Sequence, residues 1–376
     1  MLFVILMACQ SLDLSANPDE TDYPSLSKLD ASIIGEMEYS KIPGLSACII
    51  KDGAIVWCQG YGYADIEAER LVTPQTPFLL ASVSKAFTAA ALAKAAEDGL
   101  VDLDAPVGAT LPFDVTHPSD PGTPITARQL AAHVSGVADN WDVMDDLYTD
   151  GDPTLALGDF MEDYFVKGER FYDKEYNFIG QGPERRLEYS NIGASLAGYV
   201  VESATGQDFG EYCEEVLFEP LQMADTSWRL DGLDESTVAM PYLRRLGRYK
   251  ATGHYGFPDY PSGQLRSGAE PVARFLLAIM SGGTLDGVRI MEPATVSELL
   301  TVQFADIDDE QGLGWYSWTL NGREVWGHNG GEQGAATEML FWPDDGVGAV
   351  VLMNSEGDDY TLEEVERMMY QAAADL

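Results

Sequence analysis

The 376-residue chain is 45% hydrophobic, enough to bury a large core in one or two domains. Its formal net charge of −40, from 62 acidic and 22 basic residues, excludes nucleic acid as a partner and disfavours an anionic membrane surface, since like charge repels at long range. The acid is spread along the chain rather than gathered in a tail, which argues against disorder and for a folded protein adapted to a saline setting.

Residues 1–8, MLFVILMA, are apolar and lead into Cys9. Leu6-Met7-Ala8-Cys9 looks like the end of a bacterial lipoprotein signal, in which a cysteine after a small residue is acylated. The positively charged segment of a secretory leader is missing and the apolar run is short; a misassigned start codon would explain both. The expectation is an exported chain, periplasmic or at the cell envelope, with lipidation of Cys9 as its membrane anchor. An ordinary apolar leader is the alternative. Residues 10–24 read as a polar tether, and no other stretch is long and apolar enough to span a bilayer.

Residues 29–44 carry helical apolar spacing that stops at Pro43-Gly44. Two β-rich runs follow around Asp52-Gly53, a hairpin signal. Cys48 and Cys58 flank that hairpin and can pair only if the register permits. With Cys213 the remaining cysteines are odd in number, so buried, inert thiols are the reading adopted. From about 79 to 285 the pattern turns mostly helical, with loops rich in Gly, Pro and Asp. The acidic stretch 139–153 reads as a solvated loop near a cleft mouth. After 312, two further hairpins are expected, around Asn321-Gly322 and around Pro343-Asp344-Asp345-Gly346, and then a terminal helix with a capping box from Thr361 to Glu364. Strands at both ends, each backed by a helix, give an α+β fold: one antiparallel sheet built from both chain ends, with an inserted helical domain. The expected division is a leader and tether over 1–24, a sheet domain over 25–78 plus 286–376, and the insertion over 79–285.

Ser82 and Lys85 precede an alanine-rich apolar run, AFTAAALAK. Ser25 and Lys28 match the same spacing, but next to the polar tether. A capping serine is the simple alternative for each. At the buried N-terminus of a helix, Ser82 gains a one-turn neighbour in Lys85 and free backbone N–H groups suited to an anion. A lysine desolvated there can lose its proton easily enough to accept one from serine. Tyr189 is the only one of eighteen tyrosines followed two places on by asparagine. His328-Asn329-Gly330 falls on a predicted strand, whereas His254-Tyr255-Gly256 lies in a Gly/Pro-rich loop and is set aside. His133 reads as fixing a loop; His117 and His254 carry no readable role. The histidines and acids show no metal-ligand spacing, and no Gly-x-Ser-x-Gly elbow occurs. The run Trp315-Tyr316-Ser317-Trp318 offers rings that can stack on a ligand, but strand residues packing on a core is the reading adopted.

Ser82-x-x-Lys85, Tyr189-x-Asn191 and His328-x-Gly330, in that order, resemble the three active-site elements of serine β-lactamase-like hydrolases. That superfamily includes class C β-lactamases, D-alanyl-D-alanine carboxypeptidases, D-aminopeptidases and related esterases. The resemblance runs from about residue 30 over most of the chain and implies a β-lactamase/transpeptidase-like fold without metal or cofactor. It implies that Ser82 attacks an acyl carbon, that Lys85 and Tyr189 share the proton work, and that Asn191 holds Lys85 or donates to substrate. Backbone N–H groups of Ser82 and Gly331 would form the oxyanion hole, with glycine at 330 and 331 allowing close approach. His328 stands where many β-lactamases carry lysine, and a neutral imidazole attracts a substrate carboxylate less than an ammonium does. The expected substrates are therefore small esters or D-amino-acid peptides ahead of β-lactams. A weakly active peptidoglycan- or acyl-binding protein, and an acyltransferase using the same intermediate, are the competing readings.

Overall fold

The computed structural model describes residues 12–14, 23–357 and 359–375; the apolar leader, Cys9 and most of the tether lie outside the described residues. Helix α1, Ser27–Ser40, stops where Lys41 turns left-handed (φ 63°) and its N–H returns to the Met37 carbonyl. Pro43 permits no continuation. Strands β1 (Gly44–Lys51) and β2 (Ala54–Asp65) form the hairpin expected there. Asp52 and Gly53 both take positive φ, 49° and 80°, as a tight two-residue turn requires. A short edge strand, β3 (Arg70–Leu71), pairs with β2.

The central section holds α2 (Ser84–Glu97), α3 (Asn191–Thr205) and α4 (Ala269–Met280). Eleven of the fourteen residues of α2 are buried. Its small alanines favour the helix and let neighbours approach from every side. The section is less purely helical than the pattern predicts. Phe78–Leu79 pairs with Arg266–Ser267, and Thr149–Asp150 pairs with Tyr255–Gly256. Two-residue ladders between distant segments leave no periodic trace, so sequence patterning misses them.

Strands β4 (Tyr316–Leu320), β5 (Arg323–Glu332), β6 (Ala335–Trp342) and β7 (Val347–Met353) follow, then helix α5 (Asp359–Ala373). The β4–β5 turn is Asn321-Gly322, again with positive φ at both residues. Helix α5 begins at Asp359, which places Thr361 inside its first turn; the helix starts earlier than the Thr361–Glu364 spacing suggests. The seven strands form one sheet in the order β4-β5-β6-β7-β1-β2-β3, antiparallel at every junction. The two chain ends meet where β1 lies against β7, with Cys48 opposite Val350.

Both faces of the sheet are covered. Leu45, Ala47 and Ile49 of β1 pack with Ile33 and Met37 of α1 and Val365 and Met369 of α5. Cys48 and Ile50 face the other core, with Phe275 and Leu276 of α4. A strand buried on both sides reads as a nearly continuous apolar run, and residues 45–50 supply one interrupted only by Ser46, whose Oγ donates to the Thr73 carbonyl at 3.4 Å.

The β1–β2 register corrects the reading of the cysteines. Cys48 and Cys58 are direct cross-strand partners, with Cα atoms 4.1 Å apart, and they form a disulfide. Directly opposed residues put their Cβ atoms on the same face of the sheet. Cys213 is a buried free thiol whose pKa burial pushes well up.

Candidate functional site

Ser82 lies in a 3-10 turn, Ala81–Val83, that leads into α2. No side chain caps that helix, which removes the capping alternative for this serine. Ala81 takes a left-handed conformation, φ 47°, uncommon for a residue with a Cβ and held only when the surroundings impose it. They do so through Leu80, whose N–H donates to the Leu265 carbonyl at 2.8 Å and whose carbonyl accepts from Thr337 Oγ1 at 2.6 Å.

One turn on, Lys85 is 2% exposed. Its Nζ donates to Asn191 Oδ1 and to the Ser262 carbonyl, both at 2.7 Å, and lies 3.0 Å from Ser82 Oγ. Burial pushes its pKa down to about 7, against the opposing pull of Asp139, Asp259 and Glu332. An amine so placed can exchange a proton with the serine near neutral pH.

Tyr189, Ser190 and Asn191 run into the N-terminus of α3. Ser190 caps it, its Oγ accepting from Gly193 N–H at 2.8 Å. Asp139 adds a second cap: its carboxylate accepts from Ser190 Oγ at 2.8 Å and from the N–H groups of Asn191 and Ile192 at 3.0 Å. A carboxylate at this end complements the helix dipole. His133, itself left-handed at φ 56°, clamps the segment that leads into α3. Its carbonyl accepts from Glu188 N–H, its Nδ1 accepts from Ser190 N–H, and its ring lies 4.4 Å from that of Tyr189. Burial, then the neighbouring Lys85 and His328, keep this imidazole neutral. Tyr189 lies between His133 and His328, with the Lys85 ammonium 4.8 Å from its ring centre. Burial raises the Tyr189 pKa, and a hydrogen bond with Ser82 works against that rise. The ring is 43% exposed, so solvent moderates the desolvation.

Strand β5 supplies the third wall. A Cβ at Gly330 would fall 2.7 Å from Ser82 N and from the Leu80 carbonyl, so only glycine lets β5 lie against the Ser82 turn. At Gly331 a Cβ would meet open space; that position faces the clefts. His328 is buried, and its Nδ1 lies 2.6 Å from the Asn329 carbonyl. Burial and then Lys85 push its pKa down to about 3. A neutral ring donating from Nδ1 presents Nε2 as an acceptor. Such a ring cannot serve as a cationic anchor.

Two cavities open on Ser82. The wider, about 410 Å³, is bordered by Tyr189, Tyr316, His328 and Gly331, with Asp308 and Glu310 at its rim. The narrower, about 70 Å³, reaches past Ser82 to Trp141, Tyr148, Asp259 and Glu332. The structure thus gathers Ser82, Lys85, Tyr189, Asn191, His328, Gly330 and Gly331 in one place. It also corrects two expectations. Tyr316 borders the wider cavity, its OH accepting from Asn329 N–H at 3.3 Å, instead of packing away in the core. The stretch 139–153 lies beside the cleft as expected but is structured instead of a solvated loop, giving Asp139 to α3 and Trp141, Met144 and Tyr148 to the narrower cavity. Asp139 and Glu332 went unread because nothing near them in the chain distinguishes them from other acids. Among the described residues no group of three or more His, Cys, Asp or Glu side chains could hold a metal ion, and no helix is long and apolar enough to cross a membrane.

The beta-lactamase family model matches residues 29–372. Protein flp of Staphylococcus aureus (strain NCTC 8325 / PS 47) is 24% identical over 350 residues, 92% of this chain; the chain spans only 66% of that relative's length. Among solved structures, the octameric penicillin-binding protein homologue from Pyrococcus abyssi superposes with a TM-score of 0.75 at 25% identity, over 93% of this chain and 77% of that one. The D-amino acid amidase from Ochrobactrum anthropi SV3 superposes with a TM-score of 0.74 at 22% identity, over 92% of this chain and 99% of that one. The fold is β-lactamase/transpeptidase-like, as the three motifs imply.

Proposed function

The chain belongs to the beta-lactamase family, and from that premise we propose that it is a serine hydrolase that cleaves small esters or D-amino-acid amides and peptides through an acyl-enzyme on Ser82. One observation carries the proposal: Lys85 is buried, held by Asn191 and Ser262, and aimed at Ser82 Oγ from 3.0 Å with its pKa pushed down to about 7. In the proposed reaction Ser82 Oγ bonds to the acyl carbon as its proton passes to the Lys85–Tyr189 pair. The carbonyl oxygen takes up negative charge facing the N–H groups of Ser82 and Gly331. Collapse breaks the bond to the leaving group, which departs with that proton. Water then attacks the acyl carbon and gives a proton to the same pair; the bond to Ser82 Oγ breaks, Oγ regains a proton and the carboxylic acid leaves.

The substrate ranking rests on charge. Neutral His328 replaces a cationic anchor, and Asp308 and Glu310 stand at the cavity rim. Both disfavour the carboxylate of a β-lactam. The amidase named above, similar in fold, adds weight to amide substrates. The Cys48–Cys58 disulfide supports export, because such bonds persist outside a reducing cytosol. Lipidation of Cys9 remains part of the proposal on sequence grounds.

The test is intact mass after incubation with a fluorophosphonate, for wild type and Ser82→Ala, beside turnover of a nitrophenyl ester and a chromogenic cephalosporin. The proposal expects one adduct, lost in the variant, and faster turnover of the ester. Absence of any adduct at neutral pH in high salt would overturn it.

A further inference from the structure

The narrower cavity joins a reactive serine to an excess of negative charge. Its aromatic walls are Trp141, half exposed at the mouth, and Tyr148 and Phe257, whose rings meet at 5.2 Å. Asp259, 3% exposed, lies inside. Glu332, the next residue after Gly331, is held with one hydrogen bond on each oxygen: Tyr148 OH donates to Oε2 and Gln333 N–H to Oε1, both at 2.8 Å. Each carboxylate oxygen can accept more than one hydrogen bond, so Glu332 keeps capacity for a further donor.

Among the described residues no arginine or lysine borders either cavity. The nearest cation, Lys85, already donates to Asn191, Ser262 and Ser82, and burial weakens its charge near neutral pH. Asp139 is matched by the end of α3. Burial also pushes the Asp259 pKa up to about 7. Glu332, fixed at the edge of this small aromatic-walled space, forms no ion pair among the described residues. Aromatic faces and an oriented carboxylate together recognise an ammonium group, by cation–π attraction and charge-assisted hydrogen bonds.

We infer that this cavity is a subsite for a substrate ammonium group, with Glu332 its specificity-determining residue. The enzyme then selects esters and amides of amino acids or peptides whose amino group is free and lies close to the scissile carbonyl. The inference rests on the hydrolase reading above and narrows it.

The experiment compares kcat/KM for the p-nitroanilides of D- and L-alanine with their N-acetyl counterparts, at pH 7 and constant ionic strength, in wild type and Glu332→Gln. Fluorophosphonate labelling and nitrophenyl butyrate hydrolysis run alongside. In wild type the free amine should be preferred by about tenfold or more for at least one enantiomer, the scale of one hydrogen bond to a charged group. In Glu332→Gln that ratio should fall toward one, mostly through KM. n-Butylammonium should compete with nitrophenyl butyrate in wild type, and n-butanol should not, so the wild-type arms decide the matter even if the variant fails to fold. If Ser82 labels and the butyrate ester is cleaved, yet N-acetyl substrates are used equally well, the inference is overturned and the hydrolase reading stands. Absence of labelling removes both.

Discussion

Lys85 and Asn191 lie 106 residues apart and meet at 2.7 Å, and that contact fixes the direction in which the lysine amine faces Ser82. The Ser262 carbonyl holds the amine from another side at the same distance. With burial bringing the Lys85 pKa down to about 7, kcat/KM should rise between about pH 6 and pH 8 and then level, as an essential base loses its proton. Lys85→Arg keeps a cation that cannot deprotonate and should lower kcat/KM by about a thousandfold, within the range for proton-transfer groups. Asn191→Asp places a carboxylate on the amine and should move the acid limb to higher pH. A pH–rate profile unchanged by Asn191→Asp would refute this role for Lys85.

His133 steadies Tyr189, its ring 4.4 Å from that of the tyrosine and its Nδ1 accepting from the adjacent Ser190 N–H. Tyr189→Phe should reduce kcat by about a hundredfold or more through loss of the hydroxyl that faces Ser82. His133→Ala frees Ser190 N–H and the Tyr189 ring, so it should lower kcat while leaving the apparent pKa of the acid limb in place. His133→Asn, which keeps an acceptor but no ring, should recover part of the loss. Steady-state kinetics across pH separates the two roles.

Glu338 of β6 and Glu366 of α5 are both buried, 7% and 2% exposed, and share a hydrogen bond. Burial raises both pKa values, that of Glu338 to about 7 and that of Glu366 well above the usual carboxylate range; Glu338 adds to the rise at Glu366, whereas the hydrogen bond with Glu366 works against the rise at Glu338. Acids raised in the folded state bind more protons there than in the unfolded chain. Stability from this pair is therefore full below about pH 4.5 and is lost as pH rises through about 7. Glu366→Gln keeps a donor toward Glu338 without a second charge. Denaturant unfolding should find this variant more stable than wild type at pH 8 and level with it at pH 5; equal stability at both pH values would contradict the shared proton.

The Cys48–Cys58 disulfide closes a short loop across the β1–β2 hairpin. Double replacement by alanine should cost about 2–3 kcal/mol, the chain-entropy scale for so small a loop. Urea unfolding of oxidised and reduced protein measures it, and matching midpoints would show that the bond carries no stability.

A net charge of −40 opposes compaction through self-repulsion, which salt screens within about 10 Å at 0.1 M. The midpoint of thermal unfolding should rise from low to molar salt. A flat or falling midpoint would remove the saline adaptation.

Much of this molecule is legible locally. The three hairpins announce themselves in Asp52-Gly53, Asn321-Gly322 and the Pro343–Gly346 turn, because turn chemistry and strand alternation act over a few residues. Ser82 and Lys85 are one helical turn apart, so their contact follows from spacing alone. The Tyr189 and His328 elements are found by their order in the chain. Other features depend on which distant segments pack together. The β1–β2 register made Cys48 and Cys58 a bonded pair. Packing of residues 133 and 139 against the start of α3 turned a histidine read only as fixing a loop, and an acid read only as part of a solvated loop, into the clamp and cap of Tyr189 and Asn191. The meeting of the 141–148 segment with the end of β5 produced the cavity beside Glu332. Sequence determined the reactive pair, since its geometry is that of a single helix turn; tertiary structure decided its electrostatic surroundings, since charges 50 to 250 residues apart in the chain acquire a distance only when the core closes.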